Sequence, residues 1–247
     1  MVKQRETLKV GGKSNTIVDL LMKQTVQWGD FFERASLKAG QELFSAGRRT
    51  QFVYAPIEAV VSITASTGGV QSNGKPQPNV TLNMLGSGDL VGVSQLLGDA
   101  TLPYGAICDM GGAALRCSTQ AARRFLDEHE SSRHVVQAYA NLQAAESWQW
   151  LVASVQLPVP SRIAAYLLLS ATAAGTDALP VTHRMMASRT AIRRPSITEI
   201  LQTFVNDGLI KQLDGRIDIL DEQRLKDMVH EVWPLFGTHR QAFLAAW

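Results

Sequence analysis

The chain has very little cysteine. Cys108 and Cys117 are its only thiols in 247 residues, too few for a disulfide framework and short of the four thiolates that hold an iron–sulfur cluster. The expected compartment is a reducing cytoplasm. Long apolar runs are also missing. The longest, around Ile163 to Ala174, is too short to span a bilayer, so no membrane partner is expected. The N-terminus is mixed and polar without a secretory apolar core, which argues against export. Net charge is only +2, so global charge does not announce a polyanion partner. Histidine is scarce where metal chemistry would need it. The five histidines are His129, His134, His183, His230 and His239, and none falls among the strands predicted below. No His-x-His spacing, paired carboxylates or nucleophile triad stands there either. No metal, cofactor or catalytic residue is expected, and an enzyme is the third-ranked reading.

What is present points elsewhere. Hydrophobic content of 45% and charged content of 19% fit a globular protein of one or two domains. The stretch from Leu179 to Ile210 carries two short helical patterns. The first, Thr182 to about Thr190, buries Met186, Ala187 and Thr190. A tight turn at Ala191-Ile192 follows. The second, about Pro195 to Val205, sets Ile197, Ile200, Leu201 and Phe204 on one face. Opposite stand Arg193, Arg194, Ser196, Thr198, Glu199 and Gln202, side chains able to meet phosphates and base edges. Asp207-Gly208 stops the helix. Arg184, Arg189, Arg193 and Arg194 crowd this stretch with no acid among them, as a polyanion-facing surface requires. Leu209–Leu213 and Arg216–Ile219 then alternate around Asp214-Gly215, which predicts a hairpin and so a winged helix.

Upstream, residues 1 to about 15 predict a mobile arm, and Ile17–Met22 and Trp28–Phe32 short helical pieces. From Ala35 to Cys117 short strands alternate with glycine turns, and Gly68–Pro78 reads as a loop. This is the pattern of an antiparallel roll. Thr119–His129 predicts a closing helix with Thr119 as N-cap. From Ser132 to Leu157 one long helical pattern carries Val135, Tyr139, Leu142, Ala145, Trp148, Val152 and Val155 at spacings of four and three. That is a coiled-coil-like seam and a candidate twofold interface. Pro158-Val159-Pro160 ends the helix and marks a domain boundary and hinge. After the wing, Asp221 predicts an N-cap, and a tail containing Trp233, Phe236, Phe243 and Trp247 is expected to pack on its own domain.

The segment Thr182–Ile210 resembles, without a gap, the DNA-binding domain of the cyclic-AMP receptor protein / fumarate-nitrate regulator (CRP/FNR) superfamily of bacterial transcription factors. Ala187 matches its small-residue position and Arg194 its base-contacting arginine. Arg162-Ile163-Ala164-x-x-Leu167-Leu168 is similar to the opening of that domain, and Gly86-x-Gly88-Asp89-x-x-Gly92 to the family's roll. The resemblance implies an α+β chain with an N-terminal β-roll or jelly roll, a dimerisation helix and a C-terminal winged helix-turn-helix. The boundaries expected are 1–27 for the arm and short helix, 28–130 for the roll, 131–157 for the helix and 158–247 for the DNA-binding domain with its extension. It implies a homodimer on palindromic double-stranded DNA, with RNA polymerase as a further partner. The alternative is an interaction module whose winged helix no longer reads DNA. Thr182, Arg184, Arg193, Arg194, Ser196, Thr198, Glu199, Gln202 and Arg216 form the expected DNA-binding set.

Two departures from the family's pattern matter. Cyclic-nucleotide binders carry Gly-Glu and then an arginine for the phosphate, whereas here Gly92 is followed by Val93, and Gly98–Gly112 holds no Arg or Lys. A buried phosphate without a cation costs several kcal/mol, so the cassette reads as lost. Val93, Leu96, Leu97, Leu102, Tyr104 and Ile107 either line an apolar effector pocket or pack as core, which is the commoner fate of such side chains. In the second helix the family's Arg-Glu…Arg set, which reads a TGTGA-like half-site, becomes Arg194, Pro195 and Glu199. Pro195 is expected to push Arg194 out of helical geometry. Ala191 replaces the usual turn glycine, with strain expected if its φ is positive.

Overall fold

Asn15 anchors the first helix. The computed structural model describes residues 13–66, 68, 79–98 and 101–247; the expected arm, up to residue 12, and most of the loop at 68–78 lie outside them. The Asn15 side chain accepts from the amides of Ile17 and Val18 and so caps helix α1 (Thr16–Gln24). Its amide donates to the carbonyls of Pro56 at 2.8 Å and Asp89 at 2.7 Å. Asn15 is fully buried, so it is not part of the expected arm. Ile17, Val18, Leu20 and Leu21 follow it into the core, as does Trp28 on the short helix α2 (Trp28–Phe31).

The roll is built from β1 (Glu33–Leu37), β2 (Glu42–Phe44), β3 (Phe52–Pro56), β4 (Val60–Ala65), β5 (Val80–Leu85), β6 (Gly105–Met110) and β7 (Gly112–Ser118), with helix α3 (Ser94–Leu97) between β5 and β6. All pairings are antiparallel, in two sheets of order β1-β7-β3 and β2-β6-β4-β5. Helix α4 (Thr119–Glu128) closes the roll, capped one residue earlier than expected. Ser118 accepts from the amide of Ala121, and Thr119 is the first helical residue.

Helix α5 (Glu130–Gln156) carries the expected seam, but not as one face. Val135, Tyr139 and Leu142 are buried against the roll, whereas Trp148, Val152 and Val155 stand in solvent and Ala145 is half-buried. The spacing explains this. From Tyr139 through Leu142 and Ala145 to Trp148 the row advances in steps of three. Each step falls about 60° short of a full turn, so the row winds from the roll side to the open side. The Tyr139 hydroxyl accepts from the Leu90 amide and donates to Asp89, fixing the first half of the helix on the roll.

Pro158 ends α5, and α6 (Val159–Ala174) opens with Pro160 in its first turn, where a missing N–H is harmless. Next come β8 (Ala178–Leu179), α7 (His183–Thr190), α8 (Arg194–Asn206), β9 (Ile210–Leu213), β10 (Arg216–Ile219), α9 (Glu222–Asp227) and α10 (Trp233–Ala246). The three strands form a sheet of order β8-β10-β9, and Gly215 turns the β9–β10 hairpin at φ 68°. Asp221 caps α9 as expected. The tail does not stay on its own domain. Trp233 and Phe236 border the winged-helix core, but α10 then runs along α5, with Phe243 against Tyr139.

The winged-helix unit is docked on the roll. Val60 and Met110 of the roll share its core, and the Gly86 backbone lies so close to α6 that a Cβ there would meet the Ala173 carbonyl oxygen at 1.9 Å. No side chain larger than hydrogen fits at that contact.

Candidate nucleic-acid interface

Helices α7 and α8 meet at a strained turn. Thr182 caps α7, its hydroxyl accepting from the Met185 amide at 3.1 Å. Ala191 ends α7 at φ 55°, ψ 21°, the one non-glycine residue with positive φ among those described. The strain expected on replacing glycine is therefore present, about 1–2 kcal/mol for an L-residue in this region. Arg193 then takes extended backbone (φ −62°, ψ 135°), and Arg194 is the first residue of α8. Pro195 does not expel Arg194 from the helix. It sits in the first turn, whose N–H groups have no intrahelical acceptor to lose.

The buried stripe of α8 is Ile197, Leu201 and Phe204, with Ile200 half-buried. Its outer face presents Arg193, Arg194, Thr198, Glu199 and Gln202, with Ser196 half-buried. Thr182 and Arg184 are exposed on α7, and Arg216 on the wing. The nine expected residues are therefore exposed or, for Ser196, half-buried, and several are already engaged. The Thr198 hydroxyl donates to the Arg194 carbonyl and sits 2.9 Å from His183 Nδ1. His183 Nε2 lies 3.3 Å from Gln212 Oε1 on β9. One imidazole thus ties α7, α8 and the wing together. Reading the sequence alone missed this role, and only the fold brings these positions within reach. Gln202 donates to Asn206 one turn on, and Arg216 pairs with Asp218.

Arg189 leaves the expected basic surface altogether. It is buried, and its Nε and Nη2 donate to Asp109 Oδ1 on β6 at 2.9 and 2.6 Å. Ser62 on β4 donates to the other carboxylate oxygen. The physical reason is position. Arg189 follows Met186 by three residues, on the stripe of α7 that faces the roll. A second arginine holds the tail. Arg240 on α10 donates to both oxygens of Glu146 and pairs with Asp89 at 2.8 Å. Burial pushes the Glu146 carboxyl above its ordinary range against the pull of Arg240. A cavity of about 530 Å³ lies beside this cluster, walled by the roll, α5, α6 and α10.

The six effector-pocket candidates differ in burial, although the Tyr104 hydroxyl reaches Ser94 on α3 at 3.0 Å. Val93 and Leu96 are buried in the core, Leu97 is exposed, and Leu102, Tyr104 and Ile107 are partly buried. None of the six lines that cavity. Val93 and Leu96 pack in the cluster that includes Val135 and Leu142. The two thiols are buried and not bonded to each other. Burial raises Cys108 to about 11 and Cys117 to about 12, so neither is a thiolate near neutrality. Among the described residues, no group of three or more His, Cys, Asp or Glu could hold a metal ion, and no helix is long and apolar enough to cross a membrane.

Comparison with known proteins agrees with this geometry. Residues 161–228 match the family model of the Crp-like helix-turn-helix domain. No curated protein matches the chain in sequence. Among solved structures, the chain is similar to a Crp/Fnr-family transcriptional regulator from Eubacterium rectale, at 17% identity over 87% of this chain and 95% of that one, with a TM-score of 0.62. It is similar to a CRP-family regulator from Thermus thermophilus at 20% identity, 80% and 96% coverage and a TM-score of 0.62. It is also similar to FixK2 from Bradyrhizobium japonicum at 12% identity, 80% and 96% coverage and a TM-score of 0.64.

Proposed function

We propose that this chain, which joins a Crp-like helix-turn-helix domain to the fold of CRP/FNR transcription regulators, is a sequence-specific DNA-binding regulator that works as a homodimer. The observation that carries the reading is the outer face of α8, where Arg193, Arg194, Glu199 and Gln202 stand exposed beside the wing. Arginine supplies bidentate donors for guanine or phosphate, glutamate an acceptor for cytosine N4, and glutamine either role. The experiment is selection from randomised duplexes. A defined half-site in twofold repeat, bound with a steep salt dependence from counterion release, is the expected result. Binding indifferent to sequence would leave the interaction-module reading in its place.

The free half of α5 supports the dimer. Trp148, Leu151, Val152 and Val155 form an apolar stripe, with Trp148 69% and Val155 75% exposed. Large apolar side chains grouped this way on a helix are what a second copy would cover. Sedimentation should give a dimer for the native chain, and Trp148→Glu should shift it to monomer without unfolding it. The effector, if there is one, is not a cyclic nucleotide bound in the family's manner. Val93 occupies the position of the ribose-binding carboxylate and is itself buried in core. Calorimetry with cyclic AMP and cyclic GMP is expected to give no saturable site of this kind.

A further inference from the structure

The cavity of about 530 Å³ lies where the roll, α5, α6 and α10 meet, so its walls come from both units of the chain. Its apolar side is Met84, Trp150, Leu169, Trp233 and Phe236. Its ionisable side chains, among the described residues, are Asp89, Glu146 and Arg240. Two carboxylates therefore share one guanidinium, and the wall carries one formal negative charge in excess. Asp89 and Glu146 are 4% and 6% exposed, where charge is weakly screened. Arg240 offers an anion no free fork. Its Nε and Nη2 are held by Glu146 and Asp89, and its Nη1 lies 3.4 Å from the Gly88 carbonyl oxygen. Lys226, 6.0 Å over the Trp233 ring, is paired with Glu222. Gly237 is a second, independent pointer. It sits inside α10, where glycine weakens a helix relative to alanine, and a Cβ there would meet nothing within 4 Å. It lines the cavity, and its missing side chain leaves that space open.

We propose that this cavity binds a small organic cation with an aromatic body, of the arylalkylamine class. The tryptophan and phenylalanine rings attract a cation through their quadrupoles and cover the apolar body of the same molecule. The pull of the acidic wall needs no vacant carboxylate oxygen. The charge left over after Arg240 acts across the cavity, and low-dielectric walls strengthen it. Burial raises the Glu146 carboxyl, and a cation nearby offsets that cost. Hydrogen bonds are available elsewhere. The hydroxyls of Thr16 and Ser87 and the Gln241 amide line the cavity with no hydrogen-bond partner among the described residues. The volume lies in the range of small-molecule sites. No residue of α8 or the wing contributes to the lining, so the site is separate from the DNA-reading face.

Titration calorimetry of the full chain with phenethylamine tests it, with phenethyl alcohol and phenylacetate as neutral and anionic counterparts carrying the same ring. The expected result for the amine is a saturable isotherm with one site per chain. The alcohol should bind about tenfold more weakly, and phenylacetate more weakly still. Gly237→Met, which fills the cavity and leaves the ion pairs intact, should abolish amine binding without lowering the melting temperature. Trp233→Leu keeps an apolar wall and loses a ring, so it should bring the amine down toward the alcohol. Thermal melts establish which variants are folded, and Phe236→Leu replaces either one that is not. No saturable heat with the amine would overturn the proposal. So would phenylacetate binding as tightly as the amine, or Gly237→Met binding the amine like the native chain. None of these results touches the DNA-binding reading, whose test uses duplex alone.

Discussion

Arg189 and Arg194 stand on either side of the same turn, in the same acid-free basic stretch, and the fold sends them to opposite environments. Arg189 is buried in a two-pronged contact with Asp109. Arg194 is exposed at the start of α8. A count of arginines treats them alike, whereas angular position on the helix separates them. Arg189 shares a stripe with Met186, and that stripe meets the roll. Arg194 opens a helix whose stripe begins only at Ile197. One arginine ties the winged-helix unit to the roll, and the other is left exposed.

The largest effect follows from breaking the buried contact. Arg189→Ala leaves Asp109 buried without its counter-charge, at an expected cost of about 3–5 kcal/mol. Denaturant unfolding measures it. Replacing both partners, as Arg189→Met with Asp109→Leu, should recover most of that loss, because no stranded charge remains. A single variant that loses less than about 1 kcal/mol, the value of an exposed pair, would show that the contact is open to water, and the contrast with Arg194 would collapse.

Arg194→Ala should do the reverse. Stability stays within about 0.5 kcal/mol, as for other surface changes, while DNA affinity falls by about 1–3 kcal/mol if the side chain is bidentate to guanine. Unfolding and fluorescence anisotropy on one preparation measure both. A variant with native DNA affinity and lowered stability would make Arg194 structural, like Arg189.

How much of this was legible in sequence depends on how local each signal is. The wing was, because Asp214-Gly215 between alternating strands is a turn complete in a few residues. The buried face of α8 was, because Ile197, Leu201 and Phe204 repeat within one helix. The seam on α5 was legible as apolar but not as two faces, since which half the roll covers depends on tertiary packing. Asn15, Arg189 and Arg240 were not legible as anchors. Their partners lie 74, 80 and 94 residues away, at Asp89, Asp109 and Glu146, and no spacing rule reaches that far.

The exposed side of the comparison can be sharpened at Glu199, an acceptor at the position where the resemblance noted in the sequence implies a guanine-reading arginine. Glu199 is exposed one turn after Ser196. A guanine beneath it would meet acceptor against acceptor, so the preferred half-site is not expected to be TGTGA-like. Glu199→Arg should move preference at one base pair toward guanine by about 1–3 kcal/mol. Logos selected side by side would decide it. Identical logos for native chain and variant would mean that Glu199 reads no base and that α8 enters the groove at another angle.

The smallest effect lies in the turn between the two arginines. Ala191 is held at φ 55° with a side chain that disfavours this geometry, and it is exposed, so its methyl group contributes little packing in return. Ala191→Gly removes about 1–2 kcal/mol of strain. It also gives the unfolded chain more freedom, which takes back about 0.4–1 kcal/mol. The net expectation is a gain of up to about 1.6 kcal/mol, or up to about 3–6 °C in melting temperature for a chain of this size. DNA affinity should not change, because Thr182 and Arg193 still set the ends of the two helices. If the variant instead loses DNA affinity while gaining stability, the strained turn is holding Arg193 and Arg194 in register with the groove. The boundary between the buried and the exposed arginine would then itself be part of the reading device. A variant that melts lower would mean that the left-handed geometry at Ala191 is not strained in solution.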